Sequence, residues 1–248
     1  MKILGVIPAR FASTRFPGKP LADLAGKTMI QRVYEQCKKS ARLTEVVVAT
    51  DHLKIMETVQ AFGGVVCLTS EHHPSGTDRC FEAMQQQEQT FDYVINIQGD
   101  EPFIAPQQID LLASLLDGRA ELATLIKTIG HSENIFNPNV VKVVVNRAGE
   151  ALYFSRSPLP HVRSTAAEEW LNKHVFYKHI GMYGYRTDVL AKITQLPVST
   201  LERAESLEQL RWLENGYRIQ TAVTDFETLG IDTPEDLTAA LQHLPANS

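Results

Sequence analysis

Arg10, Arg15 and Lys19 lie in one short stretch, Pro-Ala-Arg-Phe-Ala-Ser-Thr-Arg-Phe-Pro-Gly-Lys-Pro at residues 8–20, together with Ser13 and Gly18. Three cations, forked guanidinium donors and a glycine that lets backbone amides approach are what an anionic phosphate chain requires. The stretch is neither GxGxxG nor GxxxxGK[ST], which argues against a dinucleotide fold and a Walker loop. Charge alone also fits a solvated loop. A second concentration of chemistry is Gln98-Gly99-Asp100-Glu101-Pro102, and a third is Asp232 in Gly230-Ile231-Asp232-Thr233-Pro234. Hard carboxylate oxygens suit Mg2+, which takes one or two carboxylates and completes its shell with phosphate oxygens and water. Read alone, Asp100 and Glu101 also fit exposed acids at a strand end, and Asp232 a residue ahead of a helix. No GxSxG elbow or comparable setting supports a Ser/His/Asp nucleophile.

The elements that must position these residues are visible as short apolar runs at 3–7, 45–49, 65–68, 93–97, 122–126, 140–145 and 218–223. Continuous runs without alternation predict strands buried on both faces of a mostly parallel sheet. Between them, residues 29–40 carry Ile30, Val33, Tyr34 and Cys37 at helical spacing, and residues 53–62 carry Ile55, Val59 and Phe62 before Gly63-Gly64. Strand and helix in alternation predict an α/β fold, with the phosphate loop and Asp100 both beyond the carboxyl ends of strands. After about residue 130 the alternation weakens, and prolines at 158, 160 and 197 predict an excursion from the sheet. A helix is expected over 202–214 and another from Thr233, with Thr233 as N-cap and Asp236 completing a capping box.

The bulk properties bound the function. At 248 residues, 44% hydrophobic and 21% charged, the chain fits an ordinary soluble globular protein, and the length favours one domain. A net charge of −5 with scattered Lys and Arg gives no footprint for nucleic acid. Cys37, Cys67 and Cys80 have no CxxC spacing, so reduced thiols are expected rather than a disulfide framework or zinc site. No apolar stretch reaches the length of a membrane span or a signal peptide's core, which leads to the expectation of a cytoplasmic protein without membrane insertion.

In order and spacing, the loop at 8–20, Ala49-Thr50-Asp51, Ser75-Gly76-Thr77-Asp78-Arg79 and Gln98-Gly99-Asp100-Glu101-Pro102 resemble the 3-deoxy-manno-octulosonate cytidylyltransferases, the CMP-Kdo synthetases. Phe136-Asn137-Pro138-Asn139, Val141-Lys142-Val143-Val144, Ala151-Leu152-Tyr153-Phe154-Ser155-Arg156, His179-x-Gly181-x-Tyr183-x-Tyr185, Leu207-Glu208-Gln209-Leu210-Arg211 and Asp232-Thr233-Pro234-Glu235-Asp236-Leu237 continue the likeness over nearly the whole chain. The resemblance implies a Rossmann-like nucleotidyltransferase core with helices on both faces of a mostly parallel sheet. It implies one domain over 1–248, with an inserted excursion at about 136–190 that serves the sugar site and a homodimer interface.

The implied activity joins CMP from CTP to the anomeric hydroxyl of Kdo, releasing pyrophosphate, with Mg2+, for lipopolysaccharide biosynthesis. On the same footing, Arg10, Ser13, Arg15 and Lys19 hold the triphosphate, and Ser75, Thr77, Arg79 and Gln98 line the cytidine side. Asp100 and Asp232 bind metal and, with Arg15 and Lys19, form the catalytic set, while Arg156, His179, Tyr185, Glu208 and Gln209 face the sugar acid. The readings to be separated are a cytidylyltransferase for a nine-carbon or amino-substituted sugar acid, and a nucleotide-binding regulator without catalysis.

Overall fold

Residues 3–9 are Ile-Leu-Gly-Val-Ile-Pro-Ala, and six of the seven positions of the strand they form, β1 (Ile3–Ala9), are buried. Successive side chains of a strand point to opposite faces, so burial at consecutive positions requires cover on both. The same holds for β2 (Glu45–Thr50), buried from its second residue onward, and for β4 (Tyr93–Asn96), buried throughout. The strand between them in sequence, β3 (Val66–Leu68), differs. It is short and half-exposed, with Leu68 at 44%, because it pairs on one side only, with β2. The expectation that this run is buried on both faces is therefore corrected by its place at a sheet edge.

The computed structural model of the chain describes residues 1–12, 16–130, 133–227 and 229–242, which form two compact units: Met1–Ala113 with the segment from Glu227, and Ser114–Phe226. In the first unit β1 pairs in parallel with β2 and β4, and β2 with β3, giving the order β3-β2-β1-β4. Helix α1 (Met29–Cys37) buries Met29, Ile30, Val33, Tyr34 and Cys37, the spacing anticipated, and its cap is Thr28. In α2 (Leu53–Ala61), Ile55 and Val59 are buried. Helix α3 (Gly76–Gln85) starts on the Ser75 cap, and α4 (Pro106–Ser114) buries Gln108, Ile109, Leu112 and Ala113. Because all four strands run in parallel, the segments leaving β1, β2, β3 and β4 emerge at one carboxyl edge.

In the second unit, β5 (Leu122–Thr128) is followed by β6 (Lys142–Val145), β7 (Ala151–Ser155) and a short helix α5 (Trp170–Lys173). Then come β8 (Tyr177–Arg186), α6 (Thr187–Ile193), α7 (Thr200–Glu205), α8 (Gln209–Glu214) and β9 (Ile219–Val223). Strand β5 pairs antiparallel with β8 and parallel with β9, while β6 and β7 form an antiparallel hairpin. Part of the segment expected to leave the sheet thus contributes a ten-residue sheet strand, β8. Its glycines and aromatics hid the strand, because they break the Val/Ile pattern on which the reading relied. The single helix expected over 202–214 is two helices, since Ser206 adopts a left-handed conformation (φ 52°) that ends α7. The chain closes with α9 (Pro234–Gln242) in the first unit, where Ala240 and Ile231 pack with Leu24 and Met29.

Candidate nucleotide site

Arg10 leaves β1 at the carboxyl edge. The loop that follows is closed by the Gly18 amide donating to the Phe11 carbonyl at 3.0 Å. Gly18 sits at φ 70°, a conformation glycine adopts without steric cost. Lys19-Pro20-Leu21 then forms a 3-10 turn, which turns Lys19 inward. Its Nζ donates to Asp100 Oδ2 at 2.7 Å and to Asp232 Oδ1 at 3.1 Å. Asp100 is delivered by the segment after β4, whose path explains Gly99: a Cβ there would lie 2.7 Å from the Pro8 carbonyl oxygen, closer than real contacts allow. Asp232 arrives from the far end of the sequence because the Ile231 amide donates to the Asp100 carbonyl at 2.9 Å and the Ile231 side chain is fully buried.

The start of α9 is capped by other groups. Thr233 Oγ1 accepts from the Asp236 amide, and Asp236 Oδ2 accepts from the amides of Asp232 and Thr233. The capping box read from the sequence is present, and it leaves the Asp232 carboxylate outside the cap.

Arg10, Lys19, Ser75, Arg79, Gln98, Asp100 and Asp232 line one cavity of about 290 Å³. Ser75 also caps α3, accepting from the Asp78 amide and donating to the Asp78 carboxylate at 2.6 Å. Thr77 is buried inside α3 and is not on the cavity wall. Ser13 and Arg15 lie outside the described residues. Sequence reasoning gave no role to two residues at this edge. Asp51, after β2, pairs with the buried Arg79 at 3.0 Å, and His73 lines the cavity while pairing with Glu82. Asp51 stands in a strand-end block whose partner, Arg79, is 28 residues further on, and His73 sits in a loop that local apolar pattern does not single out. Glu101 is buried, and burial first, then the neighbouring Asp100, raise its pKa to about 8. Burial thus favours the protonated form of Glu101, and the carboxylates already gathered around a cation are Asp100 and Asp232.

The residues assigned to the sugar all lie in the second unit. Arg156, after β7, donates through Nε to the Glu205 carbonyl (2.6 Å), through Nη1 to Pro138 (3.0 Å) and through Nη2 to Ser206 (3.3 Å). Three of its five N–H groups are thereby engaged in scaffolding. His179 Nε2 lies 2.9 Å from Thr124 Oγ1, whose single proton faces the carbonyls of Ile180 and Met182, so the imidazole is the donor. Desolvation pulls its pKa down to about 3, which makes it a neutral hydrogen-bonding group rather than a cation. Tyr185 is fully buried, stacked on Tyr183 and edge-on to Trp212. Glu208 and Gln209 stand at the start of α8, Gln209 buried. Among the described residues, the Tyr183 hydroxyl finds no hydrogen-bond partner, and the Trp212 Nε1 is in the same state. A wider cavity of about 770 Å³ in this unit carries Arg119, Arg186 and Arg218 beside Asp117, Glu121 and Glu150, a wall without excess positive charge.

Residues 4–219 match the cytidylyltransferase family model. A 3-deoxy-manno-octulosonate cytidylyltransferase of Cytophaga hutchinsonii is 60% identical over 238 residues, 96% of this chain and 95% of that protein. The enzyme of the same name from Parabacteroides distasonis is 57% identical, covering 98% of each. A solved structure of CMP:2-keto-3-deoxy-manno-octonic acid synthetase complexed with CTP is 45% identical and superimposes with a TM-score of 0.90 over 98% of both chains. A cytidylyltransferase structure from Leptospira borgpetersenii, at 20% identity and TM-score 0.60 over 95% of this chain and 83% of that one, shares the fold. With identity at this level from end to end, the chain belongs to the cytidylyltransferase family, among the 3-deoxy-manno-octulosonate cytidylyltransferases.

Proposed function

We propose that the cavity at the carboxyl edge of the first unit takes the triphosphate and cytidine of CTP, and that the chain transfers CMP from it to the anomeric hydroxyl of Kdo. A bond forms between that hydroxyl oxygen and the α-phosphorus, the bond to the β-phosphate oxygen breaks, pyrophosphate leaves, and the hydroxyl proton passes to solvent. The observation that carries the reading is the convergence of Lys19, Asp100 and Asp232, from three distant parts of the sequence, on one point of the cavity wall.

The charges there suit a magnesium nucleotide. Arg10, Lys19 and Arg79 are cations, and Asp51, Asp100 and Asp232 offset them, so the described groups leave little net attraction for a triphosphate unless a further cation enters. Among the described residues no cluster of three or more His, Cys, Asp or Glu could hold a metal by itself. Asp100 and Asp232, which meet at Lys19, are the carboxylates that would hold Mg2+, with phosphate oxygens filling its shell. When bound, Mg2+ supplies positive charge at the reacting phosphates and acidifies a hydroxyl beside it. Lys19 is placed to exchange one carboxylate partner for a phosphate oxygen, and Arg10 to add charge at the same loop. In the second unit, Arg156 through its remaining N–H groups, neutral His179, Glu208, Gln209 and the unpartnered Tyr183 hydroxyl are the proposed contacts of the sugar acid; Tyr185, fully buried, is the weakest member of that set.

A homodimer and a cytoplasmic location belong to the same proposal. The three cysteines, none in a disulfide, suit a reducing compartment that contains CTP. Exposed Phe136, Leu152 and Val175 offer apolar cover for a second copy. No helix among the described residues is long and apolar enough to cross a membrane.

The test is pyrophosphate release on mixing the protein with CTP, Mg2+ and a panel of sugar acids that includes Kdo, an amino-substituted analogue and a nine-carbon acid. Turnover should be greatest with CTP and Kdo; equal turnover with UTP would remove the cytidine reading. Asp232→Asn should lower kcat about 10²–10³-fold, the usual cost of one lost electrostatic contribution in a transition state, with CTP binding largely retained. Near wild-type kcat and magnesium dependence in that variant would take Asp232 out of the metal site.

A further inference from the structure

Asp51 directly follows β2 with a side chain only 11% exposed, and both of its carboxylate oxygens are engaged. Oδ1 accepts the backbone N–H of Phe11 at 3.1 Å, and Oδ2 accepts Nη2 of Arg79 at 3.0 Å. The two donors serve different parts of the cavity. Phe11 opens the phosphate loop: its carbonyl receives the Gly18 amide, one residue before Lys19, and its ring stacks on His52 with centroids 4.0 Å apart. Arg79 lies on the cavity wall, where its Nη1 donates to Thr69 Oγ1 at 2.6 Å and to the Ser70 carbonyl at 3.2 Å. Asp51 itself is not on that wall.

We propose that Asp51 is a positioning residue for CTP, tying the loop that carries Arg10 and Lys19 to the buried guanidinium of Arg79, so that both are presented to the same ligand. The proposal rests on the reading of this cavity as the CTP site. Its physical core is that a carboxylate is acceptor-only and can take both donors. Asparagine of the same shape offers an oxygen to one donor and turns an NH2 toward the other. It also leaves the Arg79 charge buried without its counter-charge.

The test compares wild-type protein, Asp51→Asn and Asp110→Asn by calorimetry with CTP, by thermal melting and by steady-state kinetics. Asp110 is the control, because its carboxylate takes the Ser40 hydroxyl at 2.6 Å and the Arg42 amide at 3.2 Å, away from the cavity. Asp51→Asn should raise the Kd and KM for CTP about tenfold or more, as expected for a lost charged hydrogen bond, with the KM for Kdo and kcat at saturation within about threefold. Asp110→Asn should lower the melting temperature without moving the Kd for CTP.

A folded Asp51→Asn protein with the wild-type Kd for CTP would overturn the proposal, as would an equal rise in Asp110→Asn. If Asp51→Asn does not fold, His52→Asn decides. It removes the ring stacked on Phe11 while asparagine keeps the α2 cap that His52 provides, and it should raise the Kd for CTP several-fold. An unchanged value would overturn the coupling through Phe11. Wild-type protein that bound no CTP would overturn the site reading and this proposal together.

Discussion

At the scale of single residues, the structure separates groups whose hydrogen bonds are complete from groups still short of a partner. Arg79 and Lys19 are held by carboxylates, and His179 is fixed as a neutral donor to Thr124. Tyr183 is the contrasting case. It is 8% exposed, packs edge-on to Trp212 with ring centroids 5.0 Å apart, and its hydroxyl has no hydrogen-bond partner among the described residues. Burying an unpaired hydroxyl lowers stability, and the group is worth keeping when a ligand supplies the missing partner. Tyr183→Phe should therefore leave the protein as stable as wild type or more stable by about 1 kcal/mol, while raising the KM for Kdo. Thermal melting and kinetics on one preparation check both halves. A loss of stability with unchanged kinetics would show that the hydroxyl serves the fold instead.

At the scale of elements, the most legible parts of the sequence were those built on one repeating property. The strands β1, β2 and β4 and the buried face of α1 follow from local apolar pattern, and the carboxyl-edge placement of the phosphate loop and Asp100 follows from parallel strands. What was not legible depends on partners distant in sequence. Lys142, read as an ordinary strand residue, is wholly buried and donates to the carbonyls of Asn137, Val140 and Arg156, at 2.9, 2.5 and 2.5 Å. Arg156, to which the resemblance gives a sugar-binding role, is the second cation of the same neighbourhood and joins the end of β7 to the α7 terminus and the Pro138 turn. Lysine at 156 keeps the charge but loses the planar fork that reaches three carbonyls. Arg156→Lys should cost about 1.5–3 kcal/mol and lower the melting temperature by several degrees, with any rise in the KM for Kdo appearing on top of that loss. An unaltered melting curve would mean that these three contacts contribute nothing to the fold.

At the scale of the whole molecule, the first unit is discontinuous in sequence: its four strands are all laid down by residue 96, yet one of the two carboxylates at its cavity comes from residue 232. The return of the chain is secured by Ile231, which is fully buried with Leu24, Met29 and Ala240 and whose amide donates to the Asp100 carbonyl. One side chain thus links the packing of the C-terminal segment to the spacing of Asp100 and Asp232. Ile231→Ala retains the amide and its bond but leaves a cavity, and should destabilise the protein by about 2–5 kcal/mol. A looser segment should also hold Asp232 less firmly, so the magnesium concentration for half-maximal rate should rise while the KM for Kdo stays constant. Leu237→Ala, which trims a partly buried neighbour of the same cluster, should cost less stability and change the magnesium requirement less. Equal magnesium dependence in wild type and a folded Ile231→Ala protein would show that Asp232 is positioned by the capping box of α9 and its bond to Lys19, without help from the buried isoleucine beside it.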